Sequence, residues 1–559
     1  MPISDTDLNQ IAGIPKKRDR KKIATVVDFE SKKQEMSQRQ FAKKMGIART
    51  TVQHWVNRIR NLNASPAMIT FFESPDGVAF LHKLVVAAHL EFGKNSSASI
   101  HNISNFLKLS GLDPFIASSY SSQRRVSNKM NNAIISFGEF EQERLAKNMP
   151  AKKITLCEDE TFHPEICMVA IDGVSNYIIL EKYVENRSGQ TWNNAVTHAL
   201  AGLPKVEVIQ VTSDEAKGLL NHTSKGLGAH HSPDCFHVPH EITKGTSGAL
   251  AGAVKKAGKQ VDVAMQQEQK EINCKNRYES KPKRPRGRRP NFESKIAAAS
   301  KNVELAKAIL DTTRQNQETV QTAKQDIGRL YHPYNPESGE KQDAQCVSDL
   351  LETCFADING AVSGLTDRCT KRVEKAHRVV KSMVSTIAFF FLTVDVHLKN
   401  KGIQGSQKHI MHQYLIPGFY LEQVGRKERD PARKESILAK SQEFLSILSD
   451  PNGHMKNYSD DEVMVLKDTA KECAGIFQRS SSCVEGRNAQ LSLRHHGLHR
   501  LSERLLNALT VVHNFHIRNR DGTTPAERFF QAEHGDLFEW LLENMEYPAR
   551  PRKRSAVAA

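Results

Sequence analysis

The sequence predicts a multidomain α/β protein, on three observations. At 559 residues the chain is too long for one compact core. Short β-like apolar runs alternate with helical patterns between about 151 and 243, whereas the flanks and all of 244–479 read as helix. A formal net charge of +16 sits on an ordinary composition, 39% hydrophobic and 25% charged. Such a surplus points to a polyanionic partner, because counterion release drives binding to a phosphate backbone. No segment supports a membrane role: the longest apolar run, Ile387-Ala-Phe-Phe-Phe-Leu-Thr-Val394, is far short of the roughly 20 residues a spanning helix needs and reads as a buried helix. Met1-Pro-Ile-Ser-Asp5 has no signal-peptide pattern. Nine cysteines without a CxxC pair argue for a reducing compartment.

Residues 1–62 read as a basic arm and a helix-turn-helix. The arm ends in Pro15-Lys-Lys-Arg-Asp-Arg-Lys-Lys22. Ser37 followed by Gln40 is a capping box that starts a helix, with Phe41 and Met45 four apart on one face. Gly46 ends it, where the chain must turn left-handed. Val52, Trp55, Val56 and Ile59 form the apolar stripe of a second helix. Small Ala42 lets the two helices cross closely, and Arg49, Thr50, Gln53 and His54 are expected to face a major groove. Residues 63–150 stay helical, and Ser104 to Ser110 is a candidate second DNA-contact unit or a plain connector.

From Ala151 the pattern changes. Ile154–Cys157, Ile166–Ile171 and Tyr177–Tyr183 read as three strands, Thr191–Leu203 as a helix, and Val206–Val211 as a buried parallel strand. A short helix and the segment Asp234-Cys-Phe-His-Val-Pro-His240 follow as the last helix and strand. This is the element order of an RNase H-like core, assigned to 151–243. Residues 244–479 form a helical insertion. Two long polar arms, Ile242–Asn276 and Phe292–Leu330, flank a basic tip at 281–290, where prolines forbid helix. The tip's Pro285-Arg-Gly-Arg-Arg-Pro290 resembles an AT-hook, with an extra Arg289, so Arg286, Arg288 and Arg289 are expected to contact DNA phosphates. Residues 480–535 return to the core, and 536–559 form a last helix and basic tail.

Chemistry at a phosphodiester calls for two divalent ions about 4 Å apart, held by acids from separate elements. Asp159 lies at the end of the first strand and Asp214 where the fourth runs out. Strand alternation puts Glu158 and Glu160 on the face opposite Asp159. Glu485, in Ser480-Ser-Ser-Cys-Val-Glu-Gly-Arg-Asn488, opens a helix behind capping serines, and Glu472 and Glu503 are its competitors. His230, His231, Cys235, His237 and His240 cluster in sequence but lack the paired spacing of a structural zinc site.

At these residues the chain resembles the DDE transposases of bacterial insertion sequences, which have an RNase H-like core. The resemblance covers the helix-turn-helix, 151–243 and about 480–530. It implies Asp159, Asp214 and Glu485 as ligands of two Mg2+ ions, with Mn2+ as a substitute. Asp234 and His237 match a C/D-x-x-H signature. Asn514 with Gly522-Thr-Thr-Pro-Ala-Glu527 matches an Asn…G-x-TP-x-E ending. Arg487, Asn488, Arg494, His495, His496 and Arg500 would support the site, some of them at scissile phosphates. The activity implied is cleavage and strand transfer of DNA by at least a homodimer that pairs element ends, in the bacterial cytoplasm at the nucleoid. A metal-dependent nuclease or resolvase on the same core, or a non-catalytic DNA-binding regulator, are the other readings. The long helical insertion before Glu485 departs from simple cores and resembles hAT-like transposases.

Overall fold

The computed structural model describes residues 25, 28–29, 31–60, 64–162, 165–235, 237–283, 287–450, 453–478, 481–498 and 501–551. The basic arm at Pro15–Lys22, the side chain of Ile59, Arg286, Arg500 and the tail from 552 onward lie outside them. In chain order the principal elements are α1 (Gln38–Lys44), α2 (Arg49–Arg60), α3 (Tyr120–Asn148), β1 (Lys152–Phe162), β2 (Ile166–Asp172), β3 (Ile178–Val184), α4 (Gly189–Ala201), β4 (Val206–Ser213), β5 (His230–Pro233), α5 (His237–Glu279), α6 (Phe292–Leu330), α7 (Ser482–Leu498), α8 (Glu503–Phe515) and α9 (Pro525–Phe530).

The chain is mostly helical with one mixed sheet, ordered β3-β2-β1-β4-β5. β1, β2 and β3 are an antiparallel meander, with Asp159 opposite Val169. β4 starts beside β1, where the Lys152 N–H donates to the Lys205 carbonyl at 2.8 Å, and β5 runs parallel to β4. Chain contacts divide the protein into two units, Met1–Glu207 with Ser482–Ala559, and Val208–Ser481.

In the first unit, α1 opens as read from the sequence. The Ser37 hydroxyl accepts the Gln40 N–H, and the Gln40 carboxamide oxygen accepts the Ser37 N–H. Gly46 has φ +63°, a conformation that glycine adopts without a Cβ penalty. Phe29, Phe41, Ala42, Val52 and Val56 close a small core. Met45 departs from the expectation: it is the C-cap of α1 and is exposed, while Ala42 beside Phe41 takes the core position. Pro66–Phe72, Pro75–Leu90, Ile100–Leu109 and α3 form the next helical region. Ser104 there is buried and its hydroxyl donates to the Ser118 carbonyl. It closes the fold rather than facing a ligand.

One face of the meander is covered by α7 and α8. Cys157, Cys167, Val169, Ile171 and Ile178 pack against Val484, Leu491, Leu501, Leu506 and Leu509. The Ser188 hydroxyl caps α4 by accepting the Thr191 N–H.

The second unit is helical apart from β5 and most of β4. The expected last strand is displaced: β5 is His230–Pro233, and Asp234–His240 turns into α5 instead. Pro239 fits because it sits in the first turn of α5, where its missing N–H would have had no intrahelical partner. Phe355, Ile387, Phe390, Met411, Leu415, Ala470 and Phe477 belong to a single buried cluster. Among the described residues one helical stretch, Asp367–Asn400, is long and apolar enough by length and composition to cross a membrane. Its Met383, Ile387, Phe390, Val394 and Leu398 are buried in that cluster, at the spacing of one helix face.

Candidate functional site

Asp159 sits on the α7-covered face of β1 and is half-buried. Its Oδ2 accepts a hydrogen bond from Asn488 Nδ2 at 3.0 Å. Asn488 lies on α7 one turn after Glu485, which is in that helix's first turn. The Asn488 Oδ1 is buried and has no hydrogen-bond partner among the described residues. Such an orphaned oxygen costs free energy unless a donor or a cation meets it. Glu158 and Glu160 point to the other face of β1. Glu158 is fully buried, and Glu160 Oε1 accepts from Trp192 Nε1 of α4 at 3.0 Å.

The carboxylate and carboxamide oxygens of Asp159, Glu485 and Asn488 are hard donors, which suit Mg2+ or Mn2+ over zinc. By donor type alone these residues suit a divalent ion of that class.

Arg487 is different from what the sequence suggested. It is buried, and its guanidinium grips Glu181 of β3 through Nε and Nη2, both at 2.7 Å. Thr510 of α8 donates to the same carboxylate at 2.6 Å. Arg487 therefore clamps α7 to the sheet and does not reach solvent. Glu181 is the residue sequence reading missed. Its signal was an acid inside the apolar strand Tyr177–Tyr183. Arg494 is also engaged, donating to the carbonyls of Lys94 and Ser96. His495 Nε2 meets the Tyr183 hydroxyl at 3.1 Å, while His496 is exposed.

The Asn…G-x-TP-x-E stretch has a structural explanation. Asn514 spans Ile178, accepting its N–H and donating to its carbonyl, both at 2.9 Å. Thr524 and Glu527 form a capping box that starts α9 behind Pro525, and Gly522 has φ +80°. Asn514 thus locks α8 to β3, and the other residues shape the start of α9.

In the second unit, Asp214 follows β4, half-buried, its Oδ1 accepting the Ala216 N–H at 3.0 Å. Burial raises the pKa of neighbouring Glu215, helped by the Asp214 charge. Asp234 is buried and accepts both the N–H and the hydroxyl of Ser481. His237 Nε2 lies 3.8 Å from it. The other histidines of the run go separate ways: His230 stacks on Phe389 at 4.2 Å and His231 meets the Ser213 hydroxyl at 3.2 Å. Glu472 is paired with His397 and Lys401. Glu503 is exposed in the first turn of α8.

Arg49, Thr50, Gln53 and His54 are all exposed along α2. At the arm tip Arg288 is exposed, but Arg289 bridges Glu279 and Glu293, each at 3.1 Å. Arg289 thus joins the ends of α5 and α6, with its side chain still 53% exposed.

The first unit therefore belongs, by fold and exposed face, to the class of proteins that carry a DNA-binding helix-turn-helix. Comparison agrees: a helix-turn-helix family model matches residues 32–67. A family of unknown function (DUF6399) matches residues 411–557. No curated protein matches the chain.

Two tests follow from this geometry. Arg49→Ala and Gln53→Ala should each weaken binding to a selected site by about 1–3 kcal/mol relative to random duplex. Thermal unfolding should stay unchanged because both side chains are exposed. Competition binding checks this. Separately, burial lowers His89 and His513 from 6.5 to about 4. Both are neutral in the fold and take up a proton more readily when unfolded. Stability is full above pH 6.5 and falls as pH drops towards 4, by up to about 3 kcal/mol per histidine. Urea midpoints at pH 7 and pH 5 measure it, and the loss should shrink in His513→Gln.

Proposed function

We propose that the chain is a DDE-type DNA transposase with an RNase H-like catalytic core. The observation that carries this reading is Asp159 hydrogen-bonded to Asn488, one helical turn from Glu485, on the covered face of a three-stranded antiparallel meander. The exposed face of α2 supplies the recognition of DNA ends.

Asp159 and Glu485 are the carboxylates proposed to hold divalent ions, and Asp214 is the third that the sequence assigns. The ions, when bound, would activate the attacking oxygen and stabilise the leaving one. The chain's own residues do the rest. Asn488 fixes the Asp159 carboxylate by its Nδ2 and offers its orphaned Oδ1. The Arg487–Glu181 clamp holds α7, and with it Glu485 and Asn488, on the sheet. No side chain is needed as a covalent nucleophile, since water and then a DNA 3′-hydroxyl attack.

The test is cleavage of supercoiled and end-bearing DNA by the full chain with Mg2+, with and without chelator. Nicked or linear product that needs Mg2+ is expected, together with strand-transfer product. Cleavage without strand transfer would make the chain a nuclease. Binding with no cleavage in either Mg2+ or Mn2+ would make it a non-catalytic regulator.

A further inference from the structure

The hairpin of α5 and α6 is a two-stranded antiparallel coiled coil. The inward positions of α5 run Leu250, Val254, Ala257, Val261 and Ala264, alternately four and three residues apart, and all are buried or half-buried. Phe292, Ala299, Val303 and Ala306 are the buried residues of the facing half of α6. That alternation is the spacing of a helical seam. Beyond Val261 no residue of α5 is fully buried. The outer half of the arm thus contributes little to the core of its unit.

That outer half holds a disproportionate share of the charge. Between Lys270 and Lys301 the chain carries eleven lysines and arginines against three glutamates, in a protein whose whole surplus is +16. Two of the three acids are already used: Glu279 pairs with Arg289, and Glu293 with Arg289 and Lys275. Lys281, Lys283 and Arg288 are exposed and, among the described residues, have no carboxylate partner. Pro282 and Pro290 keep this connection out of helix. Cations concentrated at the end of a slender arm repel one another. An external polyanion removes the repulsion and releases its own counterions.

We propose that the tip of this arm is a second DNA contact, made to the phosphate backbone without regard to sequence and independent of the helix-turn-helix. Two lysines and four arginines lie in its 281–290 connection, and cations that meet phosphate oxygens fix position without reading a base edge. The proposal rests on the reading that the chain binds DNA.

The experiment uses the full chain, labelled duplexes of unrelated sequence and a range of salt. The triple variant Lys281→Ala, Lys283→Ala, Arg288→Ala should reduce the slope of log affinity against log salt by about 2–3, at roughly 0.9 per phosphate contact. Affinity near 0.1 M salt should fall on the order of 100-fold, equally for every sequence. The charge-keeping triple Lys281→Arg, Lys283→Arg, Arg288→Lys should bind like the parent. Arg49→Ala should lose sequence preference and keep the tip's share of the slope. A parent that binds duplex while the alanine triple keeps its slope and affinity would overturn the proposal. A parent that binds no duplex would instead remove the DNA reading beneath it.

Discussion

Asp159→Asn should abolish Mg2+-dependent DNA cleavage, with a loss of roughly 1,000-fold or more, while leaving DNA binding intact. Asparagine keeps the size of the side chain and can still hydrogen-bond to Asn488, so the fold around β1 is retained. What it loses is the negative charge. A divalent ion held by one fewer carboxylate binds more weakly and stabilises the transition state less, and each 1.4 kcal/mol lost is tenfold in rate. Asp214→Asn and Glu485→Gln should each fall by a similar amount. Asn488→Ala should fall less and depend on metal concentration, because it positions Asp159 without supplying a charge. Partial rescue of Asn488→Ala by raised Mn2+ would support that role. Single-turnover cleavage measures all four. If Asp159→Asn cuts at the parental rate, the proposed chemistry is wrong, whatever the DNA affinity.

The parts of this protein that were legible in its sequence are those whose causes are local. Ser37 and Gln40 are three residues apart, Gly46 needs only its own φ, and the stripe on α2 repeats within one helix. The meander was legible because each strand alternates or runs apolar between turn residues. The strand β5 was not: His230-His-Ser-Pro233 has no apolar pattern, and its pairing with β4 is a tertiary fact. The sequence placed the strand four residues later, where apolar Cys235, Phe236 and Val238 looked better. The ion pairs of Arg289 were not legible for the same reason. Nothing in Pro285–Pro290 shows that the guanidinium would fall between two glutamates from different helices. Asp159 and Asn488 were both named from the sequence, but the bond between them joins residues 329 apart and only the fold brings it about.

Arg487→Met should destabilise the first unit by about 3–5 kcal/mol, the second large effect expected. Both partners of the Arg487–Glu181 pair are shut away from water, with side chains 4% and 0% exposed. Removing the guanidinium leaves the Glu181 carboxylate buried with only the Thr510 hydroxyl to meet it. A charge stranded in this way costs far more than the pair contributes over an apolar replacement. The double variant Arg487→Met, Glu181→Leu should therefore recover most of the loss, because nothing charged remains to be solvated. Urea unfolding of the parent, both single variants and the double gives the coupling directly. The pair also ties α7 to β3, so the proposed catalysis should respond separately from stability. The double variant should unfold near the parental midpoint yet cut DNA more slowly, since apolar contact holds Glu485 and Asn488 less firmly than a two-pronged ion pair. Recovery of stability and rate together would reduce the clamp to a packing element with no bearing on the site.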